Sequence, residues 1–264
     1  MKKIAFSFTL LIGLILNFEL QAQDNIYTDR PTQTTSAAVV PIGAFQIETG
    51  FYISEFNDFF PGNFAPNLKF QNISINNTLL RYGVSNKLEL RFYQELIKSR
   101  FITDGSVSES NPLSLAPTFF GVKYNILKNN PKWPDIGILA NLGGGIFDNI
   151  GTGLQTEIRL LLDGSLPGEL ALSTNVGWAA SNEFESNSAV YTVVLSRSLN
   201  EKLAVFIEAY GAIPDRGPEN HSMDAGLTYL LNSSLQLDVY GGTGLSNGSA
   251  NLLLGFGLSK RFLK

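Results

Sequence analysis

Residues 44–54 have the sequence AFQIETGFYIS, in which apolar and more polar residues alternate along the chain. The apolar set is Phe45, Ile47, Phe51 and Ile53, and the other set is Gln46, Glu48, Gly50 and Tyr52. Successive side chains of a β-strand point to opposite faces, so this stretch predicts a strand with one apolar face. A strand that lies between lipid and water needs this pattern.

The same period of two recurs as far as the C-terminus and predicts about twelve strands. We expect them near residues 44–54, 71–82, 87–97, 115–126, 135–146, 153–163, 169–180, 189–198, 202–212, 221–231, 235–242 and 250–262. Their lengths are near the 9–11 residues or so that a tilted strand needs to cross a bilayer, and an even count is typical of bacterial barrels. The predicted fold is therefore an all-β, transmembrane, antiparallel up-and-down β-barrel.

The connections between these strands alternate in length. Short polar turns at 83–86, 199–201 and 232–234 alternate with the longer segments 55–70, 98–114 and 213–220. Outer-membrane barrels have short periplasmic turns and longer extracellular loops. Both termini are then expected in the periplasm. A secreted β-sandwich is the alternative, because a sheet with one dry face also alternates.

The N-terminal segment before the barrel has two parts. Residues 1–22 combine Lys2 and Lys3 with an apolar run and small residues that end at Ala22, which predicts a signal peptide. Residues 23–43 are polar and lack periodicity, and form either a loose periplasmic arm or a plug folded into the lumen. The plug is favoured because Asp29, Arg30 and Pro31 offer charges that could pair with inward acids and bases. Residues 44–264 form the predicted barrel, in the bacterial outer membrane.

Composition excludes several classes of function. The formal net charge is −4, so nucleic acid is not an expected partner. The chain has no cysteine and one histidine, so neither a cysteine metal cage nor a thiol nucleophile is available, and no metal or other cofactor is expected. His221 and Ser222 are adjacent, and adjacent strand residues point to opposite faces, so a lipid hydrolase on the barrel wall is disfavoured and no enzyme is predicted.

Two regions resemble a known family. Residues 27–34 (YTDRPTQT), leading into 40–51 (VPIGAFQIETGF), are similar to the opening of a family of outer-membrane transporters named after the meta-cleavage pathway of phenol degradation. The hairpin 226–232 (GLTYLLN) and 235–241 (LQLDVYG) is similar as well. The resemblance implies a barrel whose transport function is unknown or related to aromatic compounds, and it carries no catalytic residue.

Charged residues of inward parity are the candidates for lining the lumen. They are Glu48, Glu89, Arg91, Glu95, Lys123, Glu157, Arg159, Glu208 and Asp238, and Glu169 and Asp224 share the same parity. The set has an acidic excess. Two interpretations follow, an interior filled by salt bridges and hydrogen bonds, or a water path that favours cations.

The predicted function is passage of a small hydrophobic or aromatic solute across the outer membrane. The alternative is a sealed structural or interaction barrel without transport. Phe56, Phe59, Phe60 and Phe64 in the first long loop suit either function. The expected partners are outer-membrane lipid, an unidentified small solute, and the barrel-assembly machinery, because the last strand ends in aromatic residues.

Overall fold

The computed structural model describes residues 25–57, 68–145, 153–181 and 185–263. The predicted signal peptide, residues 1–22, and the loop residues Phe59, Phe60 and Phe64 lie outside these ranges.

Fourteen β-strands belong to one sheet. They are β1 (Phe45–Asn57), β2 (Leu68–Gly83), β3 (Leu88–Thr103), β4 (Ser106–Ser110), β5 (Ser114–Leu115), β6 (Thr118–Leu127), β7 (Asp135–Gly144), β8 (Gln155–Leu166), β9 (Leu170–Ser181), β10 (Ser186–Ser198), β11 (Leu203–Pro214), β12 (Asn220–Asn232), β13 (Leu235–Gly244) and β14 (Leu252–Phe262). The short strands β4 and β5 pair only with β3, so the other twelve form the wall.

The sheet closes on itself. Each of the twelve long strands is antiparallel to two neighbours, β2 pairs with β3, and the first strand pairs with the last, from Phe45 opposite Phe262 to Glu55 opposite Leu252. Closure gives each of the twelve wall strands a partner on both sides, which is what allows strands to cross a membrane. The predicted antiparallel barrel of twelve strands is confirmed.

The outer face of the barrel is apolar and the inner face is polar. On β13, Leu237 and Val239 are 37% and 49% exposed, whereas Asp238 and Tyr240 are 5% and 6% exposed. A water-soluble sheet buries its apolar face, so this inversion excludes the secreted sandwich and requires lipid outside. The outer-membrane barrel predicted from the sequence is confirmed on this ground. No helix in the described ranges is long and apolar enough to cross a bilayer.

The two rims of the barrel differ. One rim, the turn side, carries the start of β1, the end of β14 and the short connections 84–87, 199–202 and 233–234. Exposed aromatic side chains, which suit a membrane interface, lie near this rim and include Tyr82, Tyr124, Trp133 and Tyr229. The opposite rim, the loop side, carries most of the longer connections, although the turn-side connection 128–134 is longer than the loop-side connection 215–219.

The prediction of a long loop over 98–114 is wrong. β3 continues to Thr103 and folds back onto β4, so the barrel wall extends beyond the predicted end of the strand. Asp104 and Gly105 form the turn with φ of 50° and 79°. Two successive positive φ angles give the primed type of hairpin turn, for which Asp-Gly is a preferred pair.

Candidate functional site

The N-terminal segment, defined here as residues 25–44, lies inside the barrel as a loop inserted from the turn side. It enters where the Ile26 amide donates to the Ser233 carbonyl at 2.8 Å, and it leaves where the Gly43 amide donates to the Gly83 carbonyl at 2.8 Å. Both contacts are at the turn-side rim. The segment could therefore withdraw toward that rim without threading an end through the barrel.

Side chains of the wall satisfy the segment's backbone. Glu48 accepts the amides of Asp29 and Arg30 at 3.0 and 2.9 Å, and Glu208 accepts those of Gln33 and Thr34 at 2.8 and 2.7 Å. Buried backbone groups require such partners, and charged acceptors make the stronger bonds. The inward acids of the wall therefore hold this segment.

Further wall contacts continue along the segment toward β1. Asn175 bonds both the amide and the carbonyl of Thr35 at 2.8 Å, Asp163 accepts the Ala37 amide at 2.7 Å, and Glu89 accepts the Val40 amide at 2.8 Å. The buried side chain of Ala37, in the N-terminal segment, packs against the buried side chains of Leu139 and Leu161 of the wall.

Six charged side chains form a buried charge network around Asp29. Its acids are Asp29, Glu48 and Glu89, and its bases are Arg81, Arg91 and Lys123. Three negative and three positive groups balance, as buried charges must.

Asp29 brings the segment into this network. Its carboxylate contacts Arg91, lies 3.3 Å from the Lys123 Nζ and lies 3.6 Å from an Arg81 Nη1. Burial alone would raise the pKa of the Asp29 carboxyl, but Arg81, Lys123 and Arg91 outweigh burial and hold that pKa well below its usual range.

Arg81 is the base that links the two wall acids. Its Nε and Nη2 donate to the two oxygens of Glu89, both at 2.8 Å, and its Nη1 lies 2.7 Å from Glu48. The parity of β2 is obscured by adjacent Leu79 and Leu80 and by a register shift between Ser74 and Asn76, so sequence reasoning missed this residue. No clear periodic signal identified it.

Arg30 contacts strands β2 and β13 of the wall. Its guanidinium lies 3.1 Å from Asp238 and donates to the Asn77 side chain at 2.7 Å. Gly50 and Gly257 are cross-strand partners, and a Cβ on either would overlap this guanidinium. The glycine pair therefore provides the space that Arg30 occupies. Pro31 follows it through a cis peptide bond.

The remaining lumen candidates lie nearer the loop side. Arg159 pairs with Glu157 at 2.5 Å and donates to the Gln33 carbonyl at 3.1 Å, and Glu95 accepts from the Tyr93 hydroxyl at 3.0 Å. Thr34 contacts Glu208 through its hydroxyl and lies 2.7 Å from the Thr192 hydroxyl. Most of the acidic excess noted in the sequence is thus engaged by bases, by hydroxyls or by backbone amides.

Two of the cavities formed by the described residues lie in the lumen, one on each side of the N-terminal segment. The loop-side cavity has a volume of about 520 Å³, and the turn-side cavity one of about 890 Å³. Arg30, Pro31 and Thr32 line both. The segment therefore forms the partition between the cavities.

Aromatic side chains line the loop-side cavity above this partition. They are Tyr52, Phe56, Tyr93, Phe119, Tyr210 and Tyr240. The four tyrosines present both ring surface and hydroxyl groups. Polar and charged side chains, among them Asn77, Arg91 and Arg159, line much of the rest of this cavity. Its size and its aromatic surface suit a small organic molecule that also carries hydrogen-bonding groups.

The structure does not bring His221 and Ser222 together. The two ring nitrogens of His221 lie 3.0 Å from the Tyr191 hydroxyl and 2.9 Å from Glu219. The Ser222 hydroxyl instead donates to Asn220 at 3.4 Å. A serine nucleophile needs its base within hydrogen-bond reach, and this arrangement does not provide it. Among the described residues, no group of three or more His, Asp or Glu is placed to hold a metal ion.

Comparison with known proteins agrees with this architecture. The model of the family described as "Putative MetA-pathway of phenol degradation" matches residues 28–262, nearly the whole chain. The chain belongs to this family. The family resemblance seen in the sequence is confirmed. No curated protein sequence matches the chain.

Solved structures of similar fold are outer-membrane proteins. The COG4313 outer membrane channel from Pseudomonas putida F1 has a TM-score of 0.66 at 12% identity, over 88% of this chain and 100% of that chain. The translocator domain of the autotransporter NalP from Neisseria meningitidis has a TM-score of 0.55 at 11% identity, over 84% of this chain and 90% of that chain. At these identities the likeness establishes the fold alone, as an outer-membrane barrel.

Proposed function

We propose that this family member passes small, uncharged, hydrophobic or aromatic solutes across the outer membrane, with the N-terminal segment as the gate. The observation that carries the proposal is the partition formed by Arg30, Pro31 and Thr32 between two lumen cavities. Passage requires those cavities to join. Withdrawal of the inserted loop toward the turn side would join them.

The paired charges of the lumen favour uncharged solutes over ions. The charge network around Asp29 is neutral as a set, and the pairs Arg30–Asp238 and Arg159–Glu157 are each neutral. Pairing leaves these groups little net attraction for an ion of either sign. Aromatic rings of the loop-side cavity offer contact to an apolar solute.

The family description and one neighbour support transport as the class of function. The family description refers to phenol degradation, and the neighbour from Pseudomonas putida is named as an outer membrane channel. Because His221 and Ser222 do not pair, we propose no hydrolase activity. We also propose that β14, which ends at Phe262, presents the chain to the barrel-assembly machinery.

Solute flux into proteoliposomes tests this function. We expect phenyl glucoside, an uncharged aromatic probe, to enter several-fold faster than into protein-free vesicles. Methyl glucoside controls for the ring, and benzenesulfonate controls for charge; both should enter more slowly than phenyl glucoside. Heat-dependent gel mobility verifies that the barrel is intact. An intact barrel that gives no flux above protein-free vesicles would favour the sealed structural barrel.

A further inference from the structure

Two inward carboxylates face each other on the wall beside the N-terminal segment. Glu208 of β11 and Asp224 of β12 are directly opposite in the strand register, and they are 1% and 2% exposed. Like charges directly opposite each other on neighbouring strands are destabilising. Both residues have inward parity in the sequence, and Glu208, but not Asp224, holds the N-terminal segment.

The two carboxylates differ in their partners. Glu208 accepts two amides and the Thr34 hydroxyl from the N-terminal segment. Neither oxygen of Asp224 has a hydrogen-bond partner among the described residues. A buried carboxylate without partners is strongly unfavourable unless it gains a proton or a cation.

Among the described residues, no positively charged side chain faces Asp224. The packed side chains of Val194, Phe206 and Tyr240 form an apolar cluster on the same part of the wall. The charged group that faces Asp224 is Glu208, of the same sign. Arg159, whose charge acts on Glu208, is itself engaged by Glu157 and by the Gln33 carbonyl.

We propose that Glu208 and Asp224 bind a small hard cation of the calcium class. Calcium takes oxygen ligands in flexible geometry, and Asp224 offers two free carboxylate oxygens, with water completing the coordination. Its two charges would balance the two carboxylates. Tyr210 and Ser222 are the next inward-facing residues on β11 and β12 toward the loop side, and both line the loop-side cavity. A cation could reach the two carboxylates from this cavity. The proposed calcium site is independent of the proposed solute transport.

Thermal unfolding of the refolded mature chain tests the site, with calcium chloride as the probe. A cation that binds only the folded barrel stabilises it, so saturating calcium should raise the melting temperature on the order of 5 °C. The Asp224→Asn variant should lose this rise. The Glu157→Gln variant, which removes a different lumen carboxylate, should keep it.

Terbium luminescence gives a second, independent measurement on the unmodified chain. Terbium bound between Glu208 and Asp224 lies beside Tyr210 and Tyr240, whose excitation should sensitise its emission, and calcium should displace it. Absence of sensitised emission would overturn the proposal even if the Asp224→Asn variant fails to fold.

Two other results would also overturn it. A melting temperature that depends on pH but not on calcium would show that the carboxylate pair shares a proton. A calcium response that persists in the Asp224→Asn variant would place the binding elsewhere.

Discussion

Replacing Asp29 by alanine is expected to destabilise the folded barrel by about 3–5 kcal/mol, the usual cost of removing one partner from a buried ion cluster. Asp29 contacts Arg91, Lys123 and Arg81, and without it three buried cations face two acids. The free energy of unfolding in urea, measured on barrels refolded into vesicles, gives the effect. The N-terminal segment should also lose its position and become cleavable by protease added at the turn side.

Two further variants control this experiment. Asp215→Ala removes an exposed acid of the loop side, whose contact is with Asn187, and should leave the unfolding midpoint unchanged. Asp29→Ala combined with Lys123→Met should recover part of the loss, because it removes one uncompensated cation. A single Asp29→Ala variant as stable as the wild type would contradict the charge network.

The Leu227→Arg substitution is expected to lower the free energy of unfolding by about 2–4 kcal/mol, the effect of a cation on the lipid face near the midplane of a membrane barrel. Leu227 is 43% exposed, and its register partners Val205 and Val239 are apolar. Outside the bilayer this position would tolerate arginine. The free energies of unfolding of the Leu227→Arg variant and of the wild type, both measured in vesicles, give the difference.

Leu231→Arg is the matched control on the same strand. Leu231 is 45% exposed but lies next to the end of β12 at the turn side, where arginine should cost only about 0–1 kcal/mol because it reaches the interface. Equal costs at the two positions would mean that the apolar outer face does not lie across a bilayer.

The strands and their faces could be predicted from the sequence because alternation is a local property. On β1, Glu48 and Ile47 differ by one position and therefore point to lumen and lipid. The same rule placed Glu89, Lys123 and Glu208 inside. Exposed apolar side chains beside buried charged ones distinguish this barrel from a soluble sheet, and that contrast was already present in the order of residues.

Partners across the lumen could not be predicted, because parity gives a face and not a neighbour. Asp29 contacts Lys123, and Glu208 accepts the Thr34 amide. Both contacts depend on how the N-terminal segment folds inside the closed barrel. Arg81 was missed because adjacent leucines and a bulge hide the parity of β2. The β3–β4 hairpin was missed although Asp104-Gly105 is a hairpin-turn pair.

The N-terminal segment partitions the lumen, and the proposed passage of solute requires it to move. A reversible tether tests it, because the chain has no cysteine of its own. The Thr34 and Thr192 hydroxyls lie 2.7 Å apart, so cysteines at both positions are close enough to form a disulfide. The single-cysteine variants serve as controls for the substitutions.

Flux of phenyl glucoside through the Thr34→Cys, Thr192→Cys double variant is the most direct measurement. We predict that oxidation lowers the flux to the level of protein-free vesicles and that a reductant restores it. If the disulfide has formed and the flux is unchanged, the N-terminal segment does not gate the passage of solute.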